Sequence, residues 1–182
     1  MTEELGAARG GNSAAAPTPQ HRPRFLCDTH LGKLGRRLRL LGFDTVLAQD
    51  ITGGHPGGAD AGDDALVRLA RVEQRILLTR DRALLARPDL SQALEVPQAP
   101  VDTQLRGLLE RLGLRHLASP FTRCTCCNTL IEPIDPARLP DLPPGVLARQ
   151  DRFWRCPGCG RSYWEGSHHR RLQALVARLL HP

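Results

Sequence analysis

Two short cysteine motifs limit what this chain can fold into more than any other feature. They are Cys124-Thr125-Cys126-Cys127 and Cys156-Pro157-Gly158-Cys159, with residues 128–155 between them. Each CxxC motif brings two thiols to one side of a tight turn, and two such motifs supply the four sulfur ligands of a closed tetrahedral zinc site. Prolines in the intervening segment indicate a loop or hairpin. The pattern predicts a zinc ribbon whose metal ligands are Cys124, Cys127, Cys156 and Cys159.

Other chemistry uses the same spacing. A pair of disulfides or a redox-active CxxC would also fit each motif alone. Two motifs together, in a chain without a sign of secretion, favour structural zinc. Of the remaining cysteines, Cys126 is predicted to be a spare thiol beside the site, and Cys27, in an apolar run, a buried thiol without a ligand.

The chain has 182 residues, enough for one α/β domain of modest size and a small metal module. Residues 1–23 are rich in Ala, Gly and Pro and predict a disordered tail rather than a signal peptide or an anchor. The expected division is therefore this tail, an α/β domain over 24–118, and a zinc ribbon with a closing helix over 119–182. Because no run approaches the ~18 apolar residues of a membrane helix, and because zinc-binding thiols need a reducing compartment, we expect a cytoplasmic protein without membrane contact.

Short apolar runs alternate with leucines at helical spacing along residues 24–118. The runs begin near Phe25, Thr45, Ile76 and Leu94. Strands that alternate with helices are typical of a parallel sheet covered by helices on both faces. The leucine pattern over residues 172–179 predicts the closing helix.

Acidic residues stand where the predicted strands end. Asp28 and Asp81 each follow a strand, and Asp63 and Asp64 precede the helix that leads into the second of those strands. Sites of parallel sheets form outside the carboxyl ends of the strands. Clustered carboxylates repel one another unless a cation lies among them, and oxygen ligands suit Mg²⁺ or Mn²⁺, which can activate water against a phosphodiester. The alternative is that each Asp only caps a helix. Thr79 either positions this site from its strand end or is an ordinary strand residue.

The net charge is +6, and it comes from arginine because Lys33 is the only lysine. Arginine pairs well with phosphate, so the charge favours a nucleic-acid partner, although a GC-rich genome produces the same bias. Lys33, Arg36 and Arg37 share one side of the first helix, with Arg39 near its edge. This strip begins one turn beyond Asp28 and could hold an RNA backbone there; a plain solvated helix face is the alternative.

Aromatic side chains that might stack on bases are scarce, and they flank the ribbon. They could stack on RNA bases or form the small core that a ribbon needs beside its metal, and the second interpretation is favoured. They are Phe121, Phe153, Trp154, Tyr163 and Trp164.

Three stretches together resemble one known family. They are 25–34 with its continuation through 39–45, then 75–82, then 156–168, and they resemble the mut-seven C-terminal RNase domain family over residues 24–178. The resemblance implies a PIN-like three-layer nuclease domain followed by a zinc ribbon. It also implies that Asp28 is the first metal-binding acid, Asp63 the second with Asp64 as its rival, and Asp81 the third, with Asp102 as a fourth.

The leading hypothesis is a ribonuclease that uses Mg²⁺ or Mn²⁺ at the acidic site and structural zinc in the ribbon. The candidate RNA-binding residues are Lys33, Arg36, Arg37 and Arg80, the last from the second matching stretch. A second hypothesis is a non-catalytic RNA- or ribosome-binding adaptor that works through the ribbon. A third is a ribbon that binds a protein partner, which predicts an exposed apolar patch and no salt-sensitive RNA affinity.

Overall fold

The computed structural model of the chain describes residues 22–51, 62–90, 92–139, 142 and 145–181. The predicted tail over 1–23 lies outside the described residues except for Arg22 and Pro23, and so does most of the Gly/Pro segment over 51–62. The division of the chain at residues 23 and 118 stays a prediction.

Seven strands and six α-helices make up the described chain. The strands are β1 Phe25–Cys27, β2 Thr45–Leu47, β3 Ile76–Thr79, β4 Ala93–Glu95, β5 Glu132–Pro133, β6 Phe153–Arg155 and β7 Ser162–Trp164. The α-helices are α1 Gly32–Leu40, α2 Ala48–Ile51, α3 Asp63–Val72, α4 Arg82–Leu85, α5 Val101–Arg111 and α6 Ser167–Leu180. Short 3₁₀ turns lie at Thr29–Leu31, Arg115–Leu117 and Pro136–Arg138.

The first four strands form one parallel sheet in the order β2-β1-β3-β4. Successive side chains of a strand point to opposite faces. Phe25 and Cys27 accordingly join a core with leucines of α1, α5 and α6, whereas Leu26 joins a second core with Leu66 and Val67 of α3. Helices thus cover both faces, and the predicted α/β architecture is confirmed.

Helix α1 packs unusually close to the sheet because Gly35 faces it. A Cβ on Gly35 would lie 2.2 Å from Cδ2 of Leu47 and 3.1 Å from Sγ of Cys27. No side chain larger than hydrogen fits there without displacing β1 or β2. The close approach fixes α1 over the two strands, and it therefore fixes the segment that joins β1 to α1.

The second sheet is antiparallel, in the order β5-β6-β7. After it, α6 returns to the main core, where Leu175, Val176 and Leu179 are buried with α5. The predicted closing helix therefore exists and ties the ribbon to the α/β part. In the part of the chain that the structure describes, no helix combines the length and apolarity needed to cross a bilayer.

Candidate functional site

The four predicted cysteine ligands come together. The sulfurs of Cys124, Cys127, Cys156 and Cys159 all lie within 4.8 Å of one another. Sγ of Cys124 is 3.6 Å from Sγ of Cys159, and Sγ of Cys127 is 3.2 Å from Sγ of Cys156. A tetrahedral zinc ion with Zn–S bonds of about 2.3 Å separates its sulfurs by about 3.8 Å. The group is therefore compatible with zinc, and its sulfurs are too far apart for disulfides, whose S–S bond is about 2.05 Å.

The two motifs share one backbone turn. The residue after each second cysteine has a positive φ, 70° at Asn128 and 74° at Gly160. Its amide donates 2.9 Å to the carbonyl of the first cysteine, from Asn128 to Cys124 and from Gly160 to Cys156. Gly and Asn are the residues that adopt this conformation most readily. The sequence after each CxxC therefore builds two matching turns that present their sulfurs to one point.

The electrostatics of the four thiols favour a cation. Burial raises the thiol pKa of Cys127, but hydrogen bonds with Thr129 outweigh it and lower that pKa to about 6. Burial raises the pKa of Cys156 and of Cys159; the sulfur of Cys127 raises the pKa of Cys156 further, and the three neighbouring sulfurs raise that of Cys159. Crowded sulfurs that cannot all ionise alone can do so around a metal. The group can hold a metal such as zinc.

The two other cysteines lie outside this group. Cys126 is exposed, and Cys27 is fully buried in the core of the sheet, where burial raises its pKa to about 12. A thiol with such a pKa stays protonated and behaves as a small apolar side chain. Both residues occupy the environments that the sequence predicted.

Two of the predicted acids meet at the carboxyl edge of the parallel sheet. Strands β1 and β3 are neighbours, with Cys27 opposite Leu78, so Asp28 and Thr79 follow at the same level. The hydroxyl of Thr79 donates to Oδ2 of Asp28 at 2.7 Å and accepts from the amide of Asp81 at 2.9 Å. Thr79 is fully buried. We call these three residues, Asp28, Thr79 and Asp81, the acidic edge.

Asp28 and Asp81 also cap helices. Oδ1 of Asp28 accepts from the amide of Thr29 at 2.6 Å, at the start of a 3₁₀ turn. Oδ1 of Asp81 accepts from the amides of Ala83 and Leu84 at 2.7 and 3.4 Å, at the start of α4. The cap interpretation is therefore correct for one oxygen of each carboxylate, Oδ1 in both residues.

Helix α3 begins at the same edge. Helix α3 packs on β3 and is joined to it by a short turn, so it runs back along the strand. The helix, ten residues and about 15 Å long, is about as long as the strand, four residues and about 13 Å, so its first turn reaches the carboxyl end of β3. Asp63 and Asp64, in the first turn of α3, therefore lie where the strands end. Oδ1 of Asp64 lies 2.7 Å from Nη1 of Arg87 in an ion pair, whereas Asp63 is exposed and has no ion pair with a residue that the structure describes. Across the described ranges, no three acidic side chains place ligand atoms within 4.8 Å of one another.

The predicted basic residues separate into three groups. Lys33 and Arg36 are exposed on α1, and Arg80 is exposed beside the acidic edge. Nε of Arg37 lies 3.6 Å from Oδ1 of Asp102, and the two side chains form an ion pair. Arg39 does not belong to the strip: it is fully buried, which corrects the expectation that it lies at the strip's edge. A buried guanidinium on the core side of the helix was unexpected because arginine is rarely buried unless paired.

The family comparison covers most of the chain. The model of the Mut7-C RNAse domain matches residues 23–176. The chain belongs to the Mut7-C RNAse domain family. No curated protein and no solved structure gives a significant match. The Mut7-C match includes both the acidic edge and the four-cysteine group, and it confirms the resemblance found in the sequence. Membership indicates nuclease-type function and interaction with RNA.

Within this Mut7-C domain, the sequence did not reveal how the first cysteine motif binds the α/β part. Arg39 donates to the carbonyls of Cys126 at 2.6 Å and Thr45 at 2.8 Å, and it pairs with Asp50. These contacts connect the first cysteine motif to β2 and α2. The sequence contains no local signal for them, because residue 39 lies beside the leucine face of α1 rather than on it.

A second cluster connects the same motif to the start of β2. Oδ1 of Asp44 accepts from Arg75 at 2.7 Å and from Nδ2 of Asn128 at 2.8 Å, and Oδ1 of Asn128 accepts from the amide of Thr45 at 3.0 Å. Burial raises the carboxyl pKa of Asp44, but the hydrogen bonds from Arg75 and Asn128 outweigh it and lower that pKa to about 2. Asn128 thus both completes the turn after Cys127 and holds the Mut7-C domain's sheet.

Proposed function

We propose that this protein is a ribonuclease that hydrolyses RNA phosphodiesters at its acidic edge with the help of Mg²⁺ or Mn²⁺. The residues that would hold the cation are Asp28, Asp81 and Asp63, and zinc in the four-cysteine group would be structural. The observation that carries the proposal is the hydrogen-bonded bridge of Thr79 between Asp28 and Asp81, found in a chain of an RNase-domain family.

The acidic edge suits a hard cation that keeps part of its hydration shell. Mg²⁺ commonly binds through one or two carboxylates and completes its octahedron with water and substrate phosphate, so a closed cage of protein oxygens is not required. Asp28 and Asp81 supply carboxylates from adjoining strand ends, and Asp63 stands at the same edge. A divalent cation held there supplies Lewis-acid activation of water and neutralises charge on the phosphodiester.

The protein's own groups prepare this site. Because Thr79 fixes Oδ2 of Asp28 and the Thr29 amide fixes Oδ1, this carboxylate has little freedom to rotate. A ligand held in one orientation loses less entropy on binding. Arg80, exposed next to Asp81, and Lys33, exposed at the second residue of α1, would contact phosphates near the site. Such contacts carry no sequence information, so we propose cleavage with little base preference at the scissile position.

The test is RNA cleavage by purified, zinc-loaded protein with and without added Mn²⁺ or Mg²⁺. Leaving the divalent cation out, rather than chelating it, keeps zinc in the ribbon. We expect the parent protein to cut labelled single-stranded RNA only with the added cation, and Asp28→Asn and Asp81→Asn to lose at least about 100-fold in rate.

A matched control separates catalysis from capping. Asp135 caps the Pro136–Arg138 turn through Oδ1, which accepts from the amide of Ala137 at 2.9 Å, far along the chain from the acidic edge. Asp135→Asn therefore changes the same kind of cap, and we expect it to cleave RNA like the parent. Equal activity in Asp81→Asn and Asp135→Asn would overturn the role given to Asp81.

A non-catalytic RNA-binding adaptor is the second candidate. It is favoured by one observation, that Asp28 and Asp81 already serve backbone amides as caps. The same experiment decides between the two: intact RNA in every sample, together with RNA binding that weakens as salt rises, would support the adaptor.

A further inference from the structure

A large, mainly apolar pocket lies between the ribbon and α6, away from the acidic edge. Its volume is about 550 Å³, within the range of small-molecule sites. Its wall includes Phe121, Trp154, Tyr163, Trp164, His169 and Leu172. Of the five aromatic residues near the ribbon, only Phe153 is buried as core, at 3% exposure. The others keep ring surface in this pocket. For these four, the choice between ribbon core and RNA stacking stays a prediction.

Two features of the wall are unusual for a purely structural surface, although the amide of Phe121 also serves the fold by donating to the carbonyl of Leu40 at 3.0 Å. Phe121 has a φ of 62°, a conformation that is costly for a bulky residue. Its ring lies 4.5 Å from the ring of His169. Nδ1 of His169 is buried and has no hydrogen-bond partner among the described residues. A strained aromatic ring and an unsatisfied ring nitrogen at one pocket are typical of a ligand site.

The surroundings of the pocket are basic. Arg123 is part of its wall, and Arg161, Arg170 and Arg171 are exposed and each adjoin a wall residue in sequence. Arg152 lies over the ring of Trp154, 5.2 Å from its centroid. Aromatic surfaces with arginines at the rim fit a ligand that is planar and attached to phosphate.

Helix α1 connects this pocket to the acidic edge. Leu40, at the end of α1, is part of the pocket wall, and the helix begins just beyond Asp28. Residues 33, 36 and 40 lie on one side of a helix, because positions three or four apart share a face. Lys33 and Arg36 are exposed on that side. A basic helix face of about 13 Å, a distance that a few nucleotides span, therefore leads from the acids to the pocket.

We propose that this pocket binds one unstacked base of a single-stranded RNA whose backbone follows α1 to the acidic edge. The base stacks between aromatic side chains of the wall, and the imidazole ring of His169, which is part of that wall, contacts it. The proposal rests on the proposed function for its ligand, an RNA strand, but the pocket can be tested without any cleavage. Base binding in this pocket would hold the RNA strand a few nucleotides from the scissile phosphodiester.

The intrinsic tryptophan fluorescence of the protein can report the binding of a base in the pocket. Its two tryptophans, Trp154 and Trp164, both form part of the pocket wall. We would titrate the full-length, zinc-loaded protein with a five-nucleotide oligoadenylate, without Mg²⁺ or Mn²⁺, and follow tryptophan fluorescence. A second titration uses an abasic strand of equal length, and a third uses AMP. We expect saturable quenching by oligoadenylate, little by the abasic strand, and weak quenching by AMP, which lacks the backbone contacts with α1.

Two variants test the wall. Phe121→Gly removes the ring at a position where glycine adopts the backbone freely, and His169→Phe keeps a ring against Phe121 but removes the nitrogen. We expect oligoadenylate affinity to fall about 5- to 150-fold in Phe121→Gly, the range found for loss of one stacking partner, and by a smaller factor in His169→Phe. Leu130→Ala is the matched control, because Leu130 is 54% exposed near the ribbon and outside the pocket. It should bind like the parent.

Each outcome decides something. Binding detected by anisotropy without tryptophan quenching, or equal quenching by the abasic strand, would overturn the pocket as a base site. Quenching by AMP as strong as that by oligoadenylate would assign the pocket to free nucleotide and overturn the RNA path along α1. The cleavage assay on the same samples keeps the proposals separate: cleavage without quenching refutes only the pocket, and quenching without cleavage refutes only the nuclease.

Discussion

The hydroxyl of Thr79 donates to Oδ2 of Asp28 at 2.7 Å, from one strand of the parallel sheet to the end of the next. The same hydroxyl accepts from the backbone amide of Asp81, so one buried oxygen holds both the carboxylate of Asp28 and the backbone at Asp81. A carboxylate held by such a network is restricted to one rotamer. The position of both acids therefore depends on a side chain that would not itself touch substrate.

The first prediction concerns this hydroxyl. Thr79→Val keeps the shape of the side chain but leaves Oδ2 of Asp28 and the amide of Asp81 without that partner, so we expect a loss of about 1–3 kcal/mol in the free energy of unfolding. We also expect Mn²⁺-dependent cleavage to slow by about 10- to 100-fold, because displacement of the Asp28 carboxylate from its position lowers the rate of the reaction. Urea unfolding and the Mn²⁺ concentration at half-maximal rate measure the two effects. Thr79→Ser restores the hydroxyl and should restore the Mn²⁺ dependence; if it does not, the positioning role is wrong.

The second prediction distinguishes Asp63 from Asp64. Asp64 is 81% exposed and its carboxylate is engaged by Arg87, so Asp64→Asn should change stability by less than about 1 kcal/mol and leave cleavage near the parent rate. Asp63→Asn should slow cleavage by at least about 10-fold at limiting Mn²⁺, because it removes a ligand. Measured rates over a Mn²⁺ titration check this. If Asp64→Asn slowed cleavage more than Asp63→Asn, the second metal-binding acid would be Asp64.

The third prediction concerns the four-cysteine group. Cys156→Ser removes one of four sulfur ligands, so we expect the protein to lose bound zinc and its Tm to fall by more than about 10 °C. Cys126→Ser, a change in the exposed neighbour, should keep one zinc per chain and the parent Tm. Elemental analysis measures the zinc bound per chain, and calorimetry measures the Tm. Zinc retained in Cys156→Ser but lost in Cys126→Ser would mean that the ligand set differs.

The sequence was sufficient for features that local patterns encode. The CxxC spacing identified the four cysteines whose sulfurs come together, and the apolar runs at Phe25, Thr45 and Ile76 begin the strands that the structure contains. It was insufficient where a contact joins distant segments. Nothing local to Arg39 indicates that its partners are the carbonyl of Cys126 and the carboxylate of Asp50. A charged residue on a helix is usually solvated, and only the tertiary arrangement turns it inward.

The same limit applies to the pocket between the ribbon and α6. The aromatic residues were visible in the sequence, but a half-buried ring pattern cannot tell a core from a cavity wall. The distinction depends on α6, which returns to the main core rather than covering Trp154 and Trp164 completely. Whether a ring is covered depends on the packing of an element far along the chain.

The fourth prediction concerns pH. The carboxyl pKa of Asp44 is about 2 in the folded protein, below its ordinary value of 3.8. A group whose pKa is lowered by folding stabilises the protein above the unfolded pKa, and that stability is lost as pH falls through the folded pKa. We therefore expect Asp44→Asn to lose about 1–2 kcal/mol at pH 7, a figure reduced for partial exposure. The difference from the parent should shrink as pH falls from about 4 towards 2.

Urea unfolding of the parent and Asp44→Asn at a series of pH values checks this. Because acid also protonates the thiols that hold zinc, the quantity to compare is the difference between the two proteins. Asp151→Asn, a change at an exposed acid, should show almost no difference from the parent at pH 7. A difference for Asp44→Asn that stays constant down to pH 2 would contradict the assignment.

The last prediction concerns Arg39, which is fully buried between α1 and the first cysteine motif. Arg39→Met removes the partner of Asp50 and of the carbonyls of Cys126 and Thr45, so we expect a loss of about 3–5 kcal/mol in the free energy of unfolding. Zinc should also transfer faster to a competing chelator, because the carbonyl of Cys126 lies within the turn that presents two of the sulfurs. Arg36→Met, on the exposed side of the same helix, should stay within about 0.5 kcal/mol of the parent and release zinc at the parent rate. If Arg39→Met loses stability but keeps the parent rate of zinc release, Arg39 supports the sheet alone, and the connection between the sheet and the metal motif must then depend on Asn128 and Asp44.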